Sequence, residues 1–141
     1  MVVNTEPNNM RFLIVDDMLT IRTLTKEMLH NIGYVNILDA ENGISALDIM
    51  DSSYKAGKPI EFVISDWNMP QMDGLTFLKT LRASSTYKTI PFLMVTSESE
   101  KECVVAAVKA GIDNFILKPF TAPILREKID RILSKRKEQQ K

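Results

Sequence analysis

Four short apolar runs, each closed by a polar or charged residue, constrain the fold of this chain most. Arg11-Phe12-Leu13-Ile14-Val15 is closed by Asp16 and Asp17, and Phe62-Val63-Ile64-Ser65 by Asp66. Phe92-Leu93-Met94-Val95 ends in Thr96, and Phe115-Ile116-Leu117 ends in Lys118-Pro119. Runs of this length without polar alternation suit strands covered on both faces. A weaker strand is expected over Asn36 to Asp39. Between the runs the apolar spacing turns helical. Met18, Ile21, Leu24, Met28 and Ile32 form one stripe, which Gly33 ends as a C-cap. Ile44, Leu47 and Met50 follow the Asn42-Gly43 turn as a second, and Leu75, Leu78 and Leu81 make a third, broken by Ser84-Ser85-Thr86. Val104, Val105 and Val108 continue a fourth helix up to Gly111, and Leu125, Ile129, Ile132 and Leu133 line the last. Ser97 with Glu100, and Ser99 with Glu102, offer capping boxes. Thr121 is placed to cap the last helix, with Pro123 in its first turn.

Strands alternating with helices call for parallel βαβ units with right-handed crossovers. The expected architecture is a three-layer open α/β sheet of five parallel strands and five helices. Ligands of such sheets sit outside the carboxyl ends of the strands. Asp16, Asp17, Asp66, Thr96 and Lys118 therefore meet in one cleft. Like charges that close repel, and burial penalises each of them. A hard divalent cation together with an anionic group accounts for the cluster best. Mg²⁺ takes oxygen ligands and keeps several waters. Asp17 and Asp66 can each give an oxygen, Asp16 can hold a metal-bound water, and the backbone carbonyl of Asn68 can reach in from the loop. A strand-end carboxylate beside a cation is also a candidate for aspartyl-phosphate chemistry. Thr96 and Lys118 would then contact the phosphoryl oxygens, where charge spreads in the transition state. Trp67 directly follows Asp66 and is expected near the cleft.

Composition excludes several function classes. The chain has 141 residues, a common size for one domain, and 45% of them are apolar. Eighteen basic and eighteen acidic residues balance, so no general affinity for nucleic acid or an anionic membrane follows. The basic run at Lys135 to Lys141 reads as a solvated helix end that suits the helix dipole. A single cysteine, Cys103, rules out an internal disulfide and reads as a helix-packing thiol. His30 has no companion at metal spacing. No apolar stretch approaches the ~20 residues needed to span a bilayer, and Met1 to Met10 lack a signal-peptide core. A cytoplasmic protein is expected. Its parts are a flexible leader over 1–10, one domain over 11–135 and a polar tail over 136–141.

The segments Val15-Asp16-Asp17, Ser65-Asp66-Trp67-Asn68-Met69-Pro70-Gln71-Met72-Asp73-Gly74, Met94-Val95-Thr96 and Lys118-Pro119-Phe120-Thr121 resemble those of the response-regulator receiver domain, and in particular its single-domain chemotaxis members. The likeness runs from about Arg11 to Leu133. It implies a flavodoxin-like sheet with strand order 2-1-3-4-5. It implies a phosphorylation-switched signalling protein of a two-component system. Asp66 would accept a phosphoryl group from a sensor histidine kinase or a small phosphodonor. Asp16 and Asp17 would be the acidic metal pair, and Thr96 and Lys118 would read the phosphoryl group. Asn68 and Glu98 stand where the family tunes dephosphorylation, and a phosphatase is a possible partner. The Lys118-Pro119 bond would be cis, aiming the ammonium into the cleft. Thr96 and a ring in the fifth strand would form the switch. Chemotaxis members carry tyrosine there, and this chain has Phe115, which lacks the hydroxyl.

The resemblance further implies a monomer that catalyses only its own phosphotransfer and dephosphorylation, so it is not an enzyme acting on a separate substrate. Its output would be a protein contact on the face made by the fourth helix, fifth strand and fifth helix. The flagellar motor switch is the favoured target, and a shuttle in another phosphorelay is the alternative. Two other classes fit less well. A phosphatase of the haloacid-dehalogenase type needs a second Asp two residues after its first-strand nucleophile, and Asp16-Asp17-Met18 lacks that spacing. A flavodoxin needs a neutral Ser/Thr/Gly-rich loop there, and the two aspartates would repel a flavin phosphate.

Overall fold

Residues 9–97 and 101–139 are described by a computed structural model, the side chain of Lys101 excepted. Five strands alternate with five helices. In chain order they are β1 (Arg11–Val15), α1 (Leu19–Ile32), β2 (Asn36–Ala40), α2 (Gly43–Lys55), β3 (Phe62–Asp66), α3 (Gly74–Ala83), β4 (Phe92–Thr96), α4 (Lys101–Ala110), β5 (Asn114–Leu117) and α5 (Ala122–Gln139). The strands form one parallel sheet in the order β2-β1-β3-β4-β5. The expected fold class is thus the observed one. The chain reverses direction across the sheet between β1 and β3, where a ligand crevice opens in sheets of this kind.

Period-two alternation along the strands divides the core into two layers. Leu13, Val15, Val63, Phe92 and Met94 face α2, α3 and α4 through Met50, Phe77, Leu81 and Ala107. Phe12, Ile14, Phe62, Ile64, Leu93 and Val95 face α1 and α5 through Leu29, Leu125, Ile129 and Ile132. All five residues of β3 and of β4 are buried. The two edge strands are not: β2 buries only Ala40, and β5 only Ile116. The expectation that β5 is covered on both faces is therefore corrected, since an edge strand has one neighbour and α4 and α5 leave its outer side open.

Turn chemistry sets the helix ends. Asn42 and Ser45 form a reciprocal capping box at the start of α2, with Asn42 Oδ1 accepting from the Ser45 amide at 2.9 Å. Asp73 caps α3 by accepting from the Thr76 amide at 2.8 Å. Gly33 closes α1 at φ 122°, a left-handed value that favours glycine.

The apolar stripe differs from expectation in α1, while α4 forms as expected with little of it buried. In α1 the inward residues are Thr25 and Leu29, while Met18 and Leu24 are exposed. Met18 is the N-cap in extended backbone, hence off the helical face, and the stripe turns through Thr25, whose hydroxyl is satisfied by the Ile21 carbonyl at 2.8 Å. In α4, among the described side chains, only Ala107 is fully buried, and Val105 and Val108 are 57% and 58% exposed. The tail expected at 136–141 is helical through Gln139. Residues 1–8 of the leader, and Glu98, Ser99 and Glu100 of the capping boxes, lie outside the described residues.

Candidate functional site

The site begins with how four strands end. Asp66 is the last residue of β3 and is buried, with Oδ1 accepting from the Trp67 amide at 2.8 Å. Asp16 directly follows β1 and is also buried. Its amide donates to the Ala40 carbonyl at 3.1 Å, and its Oδ1 accepts from the Met18 amide at 2.9 Å. Thr96 closes β4 and is buried. The β3–β4 register pairs Asp66 with Val95, which puts Thr96 one residue beyond Asp66 along the neighbouring strand. The Lys118 amide donates to the Thr96 carbonyl at 2.8 Å, and the Lys118-Pro119 bond is cis, as the resemblance implied.

These ends bring the expected side chains together. Carboxylate oxygens of Asp16, Asp17 and Asp66 lie within 4.8 Å of one another. Lys118 Nζ stands 3.2 Å from Asp66 Oδ1 and 3.6 Å from Asp16 Oδ2. Asp17 is exposed and makes no ion pair among the described residues. Asn68 sits in the exposed loop two residues after Asp66. Glu98 lies outside the described residues.

The electrostatics are those of a crowded, partly dry acidic site. Burial, then the neighbouring Asp16, pushes the Asp66 carboxyl up to about 6, although Lys118 and the Trp67 amide pull the other way. Burial also raises Asp16, against the Met18 amide and Lys118. Burial pulls Lys118 down, but Asp66 and Asp16 more than offset it and hold its ammonium above the ordinary lysine value. One ammonium does not neutralise three carboxylates. Closely set oxygen donors with no sulfur or imidazole among them suit a hard cation such as Mg²⁺. The residues present fit that ion.

Two residues support the site in ways the sequence does not reveal, although Gly74 stands within the motif that carries the resemblance. A Cβ added at Gly74 would lie 2.2 Å from the Asp66 carbonyl oxygen, so only glycine lets the start of α3 pass behind the acceptor strand. The Gly74 amide uses that approach to donate to the Trp67 carbonyl at 2.8 Å. Arg22, one turn into α1, donates from Nη1 to the Asp16 carbonyl at 2.8 Å and from Nε to Asp39 Oδ2 at 2.7 Å. Spacing alone does not reveal either contact, because the partners belong to other elements.

Phe115 is half-buried on the α2–α4 side of the sheet, opposite Met94 in register. The Lys128 ammonium lies 5.3 Å from its ring centroid. On the flanking elements, Val105 and Val108 of α4, Leu117 of β5 and Ile124 of α5 are exposed apolar side chains.

Comparison with known proteins agrees with this geometry. The pattern of the response regulator receiver domain matches residues 12–130, most of the chain. The chain belongs to the response-regulator receiver family. It is 42% identical over 127 residues to chemotaxis protein CheY-3 of Vibrio cholerae, covering 90% of this chain and 94% of that one. It is also 42% identical over 124 residues to chemotaxis protein CheY1 of Helicobacter pylori, covering 88% and 97%. Among solved structures, the chemotaxis response regulator CheY4 of Vibrio cholerae superposes with a TM-score of 0.74 at 34% identity, over 88% of this chain and 98% of that one. A response regulator from Chloroflexus aurantiacus superposes with a TM-score of 0.80 at 30% identity, over 89% and 98%. The receiver domain is thus a CheY-like module of two-component signalling, a class that works between a histidine kinase and an effector. No helix among the described residues is long and apolar enough to cross a membrane.

Proposed function

We propose that this receiver is a cytoplasmic phosphorylation switch, with Asp66 as phosphoacceptor and the flagellar motor switch as its target. The observation that carries the first half is the buried Asp66 carboxylate, set between two further carboxylates and the Lys118 ammonium. Asp17, Asp66 and the Asn68 carbonyl would hold Mg²⁺, with Asp16 behind a coordinated water. When bound there, Mg²⁺ supplies the positive charge that lets an anionic phosphoryl group approach an acidic site.

The chain's own residues do the rest. Asp66 is ionised above pH 6 even without metal, so its carboxylate is available at neutral pH. It forms the new O–P bond as the N–P bond of a phosphohistidine breaks and the nitrogen's electron pair returns to the imidazole. Lys118 follows the developing charge, being already within 3.2 Å of the acceptor. Thr96 turns its hydroxyl toward the phosphoryl group. That movement opens space under α4, which the Phe115 ring fills because burial of an apolar ring is favourable. Phosphorylation thereby biases an equilibrium that an effector biases further. The exposed valines of α4 with Leu117 and Ile124 supply an apolar contact for that effector. The domain turns over no separate substrate, and Asn68 and Glu98 set how fast it returns to rest.

The motor switch is favoured because the similar proteins from Vibrio cholerae and Helicobacter pylori are named chemotaxis proteins. The test has two arms. Acetyl phosphate with Mg²⁺ should add one phosphoryl group, read by intact mass and labile to base and hydroxylamine, and Asp66→Asn should abolish it. Full labelling of Asp66→Asn overturns the acceptor assignment. Phosphorylated protein should then retain motor-switch components in preference to histidine phosphotransfer domains. The reverse preference would assign it to another phosphorelay.

A further inference from the structure

We infer that Arg22 is a positioning residue for metal binding, acting through the peptide that joins Asp16 to Asp17. The inference rests on the phosphoacceptor reading above and deepens it.

Asp16 and Asp17 share one peptide plane, so the Asp16 carbonyl fixes how the Asp17 backbone leaves β1. That carbonyl points out of the sheet ladder. Its partner is the Arg22 guanidinium at 2.8 Å, while the Asp16 amide on the other side is held by Ala40 of β2 at 3.1 Å. Arg22 is itself aimed. Its Nε meets Asp39 Oδ2 at 2.7 Å, and Lys26 Nζ holds the other oxygen, Oδ1, at 2.8 Å. The backbone adds a further restraint, since the Arg22 amide donates to the Met18 carbonyl at 3.0 Å. A chain of contacts thus runs Lys26, Asp39, Arg22, Asp16 carbonyl.

The need for it lies in Asp17. Asp16 and Asp66 are buried and hydrogen-bonded to neighbouring amides, so the fold orients their carboxylates. Asp17 is exposed, and among the described residues no ion pair orients it. Its direction depends on the backbone that carries it. Arg22 is suited to the task because its planar fork bonds a carbonyl and a carboxylate at once, which a lysine cannot do. The guanidinium touches no ligand oxygen and is not a catalytic residue. Partners that hydrogen-bond a ligating side chain directly typically change metal affinity 10- to 100-fold, and Arg22, which acts through one further peptide, belongs at the low end of that range.

The experiment titrates the full-length chain with MgCl₂ and reads Trp67 fluorescence, in parent, Arg22→Met, Arg22→Lys, Asp39→Asn, Asp17→Asn and the Arg22→Met/Asp17→Asn double variant. Arg22→Met should weaken Mg²⁺ about 10-fold, with Arg22→Lys and Asp39→Asn between it and the parent. In the Asp17→Asn background Arg22→Met should cost nothing more, because the residue it steers has gone. Thermal stability is measured alongside. A role in folding alone would lower melting equally in both backgrounds and leave the Mg²⁺ midpoint unmoved. Parental Mg²⁺ affinity in folded Arg22→Met overturns the inference, as does a full additive loss in the double variant. If Arg22→Met does not fold, Asp39→Asn decides in the same way. These failures leave the parent and Asp17→Asn titrations as expected, so the phosphoacceptor reading survives them. A parent without any Mg²⁺ response overturns both.

Discussion

Asp66 is held where its charge is least welcome. Its carboxyl titrates near 6 in the metal-free protein, against 3.8 for an ordinary aspartate, because burial and Asp16 outweigh Lys118. The folded state therefore keeps its proton over a range where the unfolded chain has lost it. Below about pH 4 both forms are protonated and the site costs nothing. As pH rises from 4 through 6 the cost appears, and above 6 it is complete, at roughly 3 kcal/mol from the shift alone. Asp66→Asn should remove that pH-dependent loss. In EDTA at pH 7.5 it should be the more stable protein by roughly 2–3 kcal/mol, and the advantage should vanish near pH 4. Denaturant melts across pH measure this, and equal stability at pH 7.5 would contradict it. The identities of Asp16, Asp17, Asp66, Thr96 and Lys118 were legible because each closes an apolar run. The roles of Gly74 and Arg22 were not, since each depends on a through-space approach to another strand end.

At the scale of elements, α4, β5 and α5 form one open side of the molecule, with exposed apolar side chains on each. β5 is an edge strand with one fully buried residue, and α4 turns one alanine inward and two valines outward. The helix expected through Val104, Val105 and Val108 forms, but a periodic pattern does not tell a covered stripe from an exposed one. Phe115 joins the two sides of this region, packed toward α4 and lying near the Lys128 ammonium of α5. Phe115→Ala should leave acetyl phosphate labelling near parental and weaken effector binding about 10-fold or more, given the several kcal/mol a large aromatic contributes on burial. Val105→Glu should weaken binding without touching labelling. Isothermal titration of phosphorylated protein against motor-switch component separates the two. Parental affinity in phosphorylated Phe115→Ala would sink the ring as the switch element.

For the whole molecule, four apolar runs, one weaker strand and five helical stretches sufficed to read the sheet, the layers and the ligand edge. Strand order came from resemblance, because alternation alone admits several orders of parallel strands. Least legible was the end of the sheet opposite the acidic cleft. Asp113, just before β5, accepts from Arg136 Nε at 2.7 Å and Nη2 at 3.0 Å, from Arg82 Nη2 at 3.3 Å and from the Phe92 amide at 2.8 Å. Arg136 also reaches the carbonyls of Thr89 and Ile90. One guanidinium in the last turns of α5 thus ties together the entrances of β4 and β5.

That clasp has a practical consequence for anyone trimming the chain. The family pattern stops at residue 130, and a designer cutting at its margin, after Ser134, would discard Arg136 as surplus tail. Three hydrogen-bond acceptors at the foot of the sheet, Asp113 Oδ1 and the carbonyls of Thr89 and Ile90, would then turn to water, and Asp113 Oδ2 would be left to Arg82 and the Phe92 amide. The shortened chain should lose about 2 kcal/mol, since these are charge-assisted bonds in a part-exposed setting. Its melting point should fall roughly 4–8 °C, and Arg136→Gln in the full-length chain should reproduce most of the fall. The acidic cleft lies at the other end of the strands, so Mg²⁺ affinity should hold steady while the melt drops. A shortened chain that melts with the parent would show that α5 closes the sheet without its last turns.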